Sequence, residues 1–110
     1  MRAITTFFLA ILLANSASAF EATAAQKGIT AYFRSSAEPI ATDAVWTAKT
    51  IFRVGVIDNG RDRSAYATYV CKYLASKGFK NVTVDIIDIM VLKYQDEWKS
   101  LGRVYSGCGY

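Results

Sequence analysis

Histidine is absent from the chain. That removes Ser-His-Asp and Cys-His nucleophile systems, His-ligated zinc and imidazole proton shuttles. Neither common form of Gly-rich phosphate loop is present, and no C-x-x-C pair offers redox chemistry. Lysine and arginine are scattered, and apart from Arg61 and Arg63 they form no cluster of the kind that tracks a nucleic-acid backbone. Proline occurs once, at Pro39, and there is no low-complexity tract. Most familiar enzyme and nucleic-acid-binding classes therefore fall away, and no cofactor is implied.

What is present begins with an export pattern over residues 1–19. Arg2 supplies a positive start, and a largely apolar run from Ala3 to Ala14 follows, carried by Phe7, Phe8, Leu9, Ile11, Leu12 and Leu13. Ala17-Ser18-Ala19 then fits the small-residue site of a signal peptidase, so cleavage is expected before Phe20. A membrane anchor is the alternative. Twelve residues at about 1.5 Å each reach about 18 Å, short of a hydrocarbon core of about 30 Å. The expectation is a signal peptide and one small domain over residues 20–110, periplasmic or secreted, with no membrane anchor after cleavage. Loss of Arg2 lowers the formal net charge from +4 to +3. A domain of about ninety residues has a thin margin of stability.

Both cysteines, Cys71 and Cys108, survive that cleavage. An even count in an exported chain reads as a disulfide, here tying the C-terminal end to the body. Two free thiols are the alternative in a reducing compartment.

Along residues 20–48 the pattern is hardest to read. Ala22 to Gln26 can start a short helix that Gly28 ends, Ile29 to Phe33 reads as a strand, and Ser35 to Asp43 as a loop. From Ile51 to Ile57 a β-branched and aromatic run puts Phe52, Val54 and Val56 on one face, and Asp58-Asn59-Gly60 stops it. From Arg63 to Lys77, the residues Tyr66, Tyr69, Val70, Tyr73 and Leu74 repeat with helical spacing. Asp62 or Ser64 can cap that helix, and Gly78 can end it with Phe79 folding back on Leu74. Val82 to Ile87 alternates as a second strand. Val54 to Asp58 and Val84 to Asp88 are similar runs offset by 30 residues, the length of a strand–helix–strand unit. The fold predicted is α/β or α+β. It has a three- to four-stranded sheet containing one β-α-β unit over about 51–88, the 63–77 helix on one face, and one disulfide. A helical turn follows from Ile89 to about Tyr94, then a last strand or extended tail from Leu101 to Cys108.

Three features can carry function. The loop from Asp58 through Arg61 to Arg63 lies where a strand ends and a helix begins, an edge that favours ligands because free N–H groups point outward there. Arg61 and Arg63 would attract an anion. Asp88, if the parallel strands pair in register, would join Asp58 to hold a metal ion or form an acid–base pair. These residues are equally ordinary turn and cap formers. The tyrosines Tyr66, Tyr69 and Tyr73 form either a partner face or, as expected, a core stripe with hydroxyls at its rim. Trp46 and Trp98 either anchor a ligand or cover the ends of a small core. Asn81-Val82-Thr83 matches a glycosylation sequon, but entry into a buried strand makes it a poor acceptor.

The expected function is a non-enzymatic protein-binding module of inhibitor, immunity or envelope-assembly type. A small-anion or metal-ion binder at the Asp58–Arg63 loop is the alternative, and a small hydrolase using Asp58 and Asp88 a weaker one. A chain this short has little wall with which to enclose a deep pocket.

Overall fold

The computed structural model describes residues 20–108. The leader expected over residues 1–19 lies outside them. No helix among the described residues is long and apolar enough to cross a membrane.

The chain runs through α1 (Ala24–Arg34), β1 (Asp43–Ala48), β2 (Ile51–Val56), α2 (Ser64–Ser76), β3 (Thr83–Asp88), α3 (Ile89–Gln95) and β4 (Ser100–Val104). The four strands form one mixed sheet in sequential order. β1 pairs antiparallel with β2, β2 pairs parallel with β3, and β3 pairs antiparallel with β4. The predicted β-α-β unit is its centre, with α2 as the crossover.

Alternation on the central strands decides which face is covered. Phe52, Val54 and Val56 on β2, with Val84 and Ile86 on β3, are buried under the helices, as are Ala44 and Trp46 on β1. α2 presents Ala67, Val70, Cys71 and Leu74, and α1 presents Ile29 and Phe33. Phe33 meets Phe52 edge-on at 5.4 Å, and Tyr32 stacks on Tyr73 at 4.6 Å between ring centroids, so α1 and α2 share one face. Each fully buried large apolar side chain contributes about 1.5–3 kcal/mol, and this shared layer is the core.

The N-terminal segment departs from expectation. Ile29 to Phe33 is the second half of a helix, and Gly28 sits exposed inside that helix instead of ending it. Thr23 caps it in a reciprocal box: its hydroxyl accepts from the Gln26 N–H at 3.1 Å, while Oε1 of Gln26 accepts from the Thr23 N–H at 2.9 Å. Gln26, Ile29 and Phe33 then fall on one buried helical face. Burial of that face outweighs the β propensity of the Ile-Thr pair and the helix cost of glycine.

At the other end of the crossover, α2 stops as predicted. Gly78 takes φ +91°, its N–H donates to Ala75 O, and the Phe79 N–H donates to Leu74 O, both at 3.0 Å. Its start differs from expectation. Asp62 Oδ1 does accept from the Ser64 N–H at 3.3 Å, but Arg63 occupies the capping position and makes no side-chain cap. Its N–H donates instead to Leu101 O on β4 at 2.8 Å. Gly102 allows this closeness, because a Cβ there would fall against the backbone of Arg63 and Ser64. The Cys71–Cys108 disulfide is formed with 5.6 Å between its Cα atoms, and it holds the segment after β4 against α2.

Candidate functional site

The face of the sheet away from α1 and α2 carries the alternate residues of each strand. Register makes Arg53 on β2, Asp85 on β3 and Arg103 on β4 direct neighbours across three strands, a charge row of plus, minus, plus. Asp85 is 1% exposed. Its Oδ2 accepts from Arg53 Nη1 at 3.2 Å and from Arg103 Nη2 at 3.1 Å, and its Oδ1 accepts from the Ser100 hydroxyl at 2.7 Å. Arg53 also donates from Nε to the Thr47 hydroxyl at 3.2 Å and lies 4.5 Å from the centre of the Trp98 ring. Arg103 donates from Nη1 to the Tyr105 hydroxyl at 3.1 Å. The hydrogen bond to Asp85 first, and that to Tyr105 second, push the Arg103 guanidinium still further up from its ordinary value.

Such anchoring has a physical consequence. Long arginine side chains normally lose rotamer freedom on binding; these two have already lost it to Asp85 and the aromatics. Between them lies a dent of about 200 Å³, lined by Ile51, Arg53, Thr83, Asp85, Arg103 and Tyr105. Trp98 and Tyr105 remain 44% and 66% exposed beside it, and Val45 adds an exposed apolar group on the same face. α3 covers only the far end, where Ile89 presses on Gly55 so closely that a Cβ there would sit 2.6 Å from Ile89 Cδ1.

A second polar cluster lies on the helical side. Glu38, on the loop between α1 and β1, is buried without a cation in contact among the described residues. Three phenols surround it. Tyr66 donates to Oε1 at 2.8 Å, Tyr69 to Oε2 at 2.7 Å, and Tyr32 to Oε2 at 3.4 Å. The Glu38 hydrogen bond, followed by burial, pushes the Tyr69 phenol up to about 12. Burial first, then Glu38, pushes Tyr66 and Tyr32 up as well. These phenols are donors at neutral pH, not nucleophiles, and the cluster locks the loop onto α2.

The residues singled out in the sequence each make local contacts of their own. Asp58 Oδ1 accepts from the Gly60 N–H at 2.8 Å, and Oδ2 stands 4.0 Å from Lys99 Nζ. Arg61 is exposed, with its own N–H on Asn59 Oδ1 at 3.1 Å. Arg63 Nη2 reaches Ile57 O at 3.3 Å. Asp88 is buried and caps α3, its Oδ1 accepting from the Met90 and Val91 N–H groups. The true register sets Asp88 opposite Val56, two residues before Asp58, so the two aspartates are not strand neighbours. No group of three or more metal-ligating side chains occurs among the described residues.

Of the aromatic candidates, Trp46 is a core residue of β1 whose Nε1 donates to Gln26 O at 3.0 Å, whereas Trp98 stands outside the core under Arg53. Tyr66 and Tyr73 pack against the core as expected, while Tyr69 is 47% exposed. The Arg53–Asp85–Arg103 row and the Glu38 cluster were both missed in the sequence. A signal for the first existed in single polar residues between buried ones, Arg53 after Phe52 and Asp85 after Val84. Comparison with protein-family models, curated proteins and solved structures gave no match.

Proposed function

We propose that this chain is a small exported domain that binds a protein partner, without catalysis, through the open face of its sheet. The observation that carries the reading is the pair of arginines locked on one buried aspartate, with Trp98 and Tyr105 exposed beside them. Arginine, tryptophan and tyrosine dominate binding hot spots, and a surface ordered before contact loses less entropy on association. Export is supported by the leader pattern over residues 1–19 together with the Cys71–Cys108 disulfide.

The test is face-specific capture. A photo-crosslinking residue placed at Val45, exposed on the same sheet face, should join the partner in the host's envelope or culture fraction, and one placed at Lys72 on α2 should not. Trp98→Ala and Tyr105→Ala should abolish capture while the folded fraction stays that of the parent. Capture equal from both positions, or none from either, would overturn the assignment.

A further inference from the structure

We infer that the dent between Arg53 and Arg103 receives a carboxylate side chain, so that the partner presents an acidic stretch of polypeptide; this rests on the partner-binding reading above. The first ground is charge. Among the described residues the only acid in ion-pair contact with either arginine is Asp85, one negative charge for two positive ones. Both guanidiniums share a single oxygen, which holds two like charges close together and leaves one of them uncompensated. A singly charged carboxylate completes the row to neutrality. A phosphate dianion would overshoot it.

The second ground is the donor inventory. A guanidinium has five N–H donors. Arg53 directs Nε and Nη1 to Thr47 and Asp85, and Arg103 directs Nη1 and Nη2 to Tyr105 and Asp85. No described residue accepts from Arg53 Nη2 or from Arg103 Nε. The side chains that carry these donors line the dent and are 20% and 37% exposed.

The third ground is size. At about 200 Å³ the dent falls below the roughly 300–1,000 Å³ of pockets that enclose free small molecules. It suits one side chain whose backbone stays outside. Ile51 and Tyr105 line the wall for its methylenes, and Val45 and Trp98 offer apolar contact to neighbouring residues of the same segment.

Four probes separate the sources of such an anion: a capped peptide of alternating Glu and Ser, its Gln counterpart, sodium acetate and inorganic phosphate, all at matched ionic strength. The readouts are Trp98 fluorescence and the Arg103 Nε–H resonance in the mature protein. The Glu peptide should shift both saturably, and the Gln peptide neither. Arg103→Gln should weaken the Glu peptide at least tenfold, Arg103→Lys should recover part of the loss, and Lys72→Gln should cost less than twofold. An effect of Arg103→Gln no larger than that of Lys72→Gln would overturn the inference, because general positive charge would then explain the binding. Phosphate binding as tight as the Glu peptide would overturn it in favour of a free-anion site. Should the inference fail while Trp98→Ala and Tyr105→Ala still abolish capture, partner binding stands with a different chemistry. Should those variants capture normally, the partner-binding reading falls on its own account.

Discussion

Removing the charge of Glu38 while keeping its shape isolates what a buried carboxylate contributes when its partners are phenols and not cations. Two of its hydrogen bonds are short, 2.8 Å from Tyr66 and 2.7 Å from Tyr69; the 3.4 Å contact from Tyr32 adds little. A hydrogen bond to a charged group contributes about 1.5–3 kcal/mol net of solvent. Glu38→Ala forfeits both short bonds and leaves the half-buried Tyr66 hydroxyl without its acceptor, but it also relieves the desolvation of a charge. The balance is a loss of about 2–3 kcal/mol. Glu38→Gln keeps an acceptor for one phenol and donates to the other, so it should cost only about 1 kcal/mol. Urea unfolding measures both losses, and an unchanged denaturant slope shows that the folded and unfolded states compared are the same. Alkaline titration of phenolate absorbance supplies an independent readout. Phenols whose folded pKa lies above the unfolded value of about 10 lend stability that is fully present below pH 10 and lost as pH rises toward the folded value, about 12 for Tyr69. The parent should therefore lose stability more steeply than Glu38→Gln between pH 10 and 12, and Tyr69 should titrate nearer its ordinary value in that variant. Equal losses below about 0.5 kcal/mol for Gln and Ala, with Tyr69 unmoved, would refute the reasoning.

Three further outcomes are expected. Asp85→Asn leaves two adjacent guanidiniums without their shared anion and should cost about 2–3 kcal/mol, at the low side for a broken buried pair because water reaches both arginines; adding Arg103→Gln should restore part of it, read from melting temperature in a double-variant cycle. Cys71→Ser and Cys108→Ser should each cost about 3–4 kcal/mol, the chain-entropy value for a 37-residue separation, and the double variant little more, with thiol alkylation confirming the bridge in the parent. Gly28→Ala should stabilise by about 0.5–1 kcal/mol in denaturant unfolding, since a Cβ there meets open space within an exposed helix turn, whereas Gly102→Ala should destabilise by about 3 kcal/mol by forcing β4 and the start of α2 apart.

What could be read in the sequence was local. The 51–88 unit announced itself because period-two and helical spacing follow one another without a gap, and Asp58-Asn59-Gly60 and Gly78 punctuate the change. Four strands, one crossover and the Cys71–Cys108 bridge agree with that reading. α1 was hidden because Ile29-Thr30-Ala31-Tyr32-Phe33 satisfies strand composition, and only packing against the sheet reveals which period is used. The open-face site needed register. An offset of 30 residues aligns the two similar runs by eye, but the strands pair with an offset of 32, bringing Arg53 beside Asp85 and carrying Asp58 past Asp88. Glu38 gave no signal at all: it stands 28 and 31 positions from the tyrosines it accepts from, on a loop whose path only the fold determines.

The close contact at Gly102 bears on the order of events as the chain emerges. The first free N–H of the crossover helix is satisfied by Leu101, and the helix start rests on Gly102, nearly forty positions downstream. A nascent chain ending before residue 100 would lack the edge strand, the acceptor for Arg63, the second arginine on Asp85 and the partner sulfur of Cys71. All four are supplied by residues 100–108. The crossover unit thus stays incomplete until residues 100–108 join it, so the segment after α3 finishes the fold instead of decorating it.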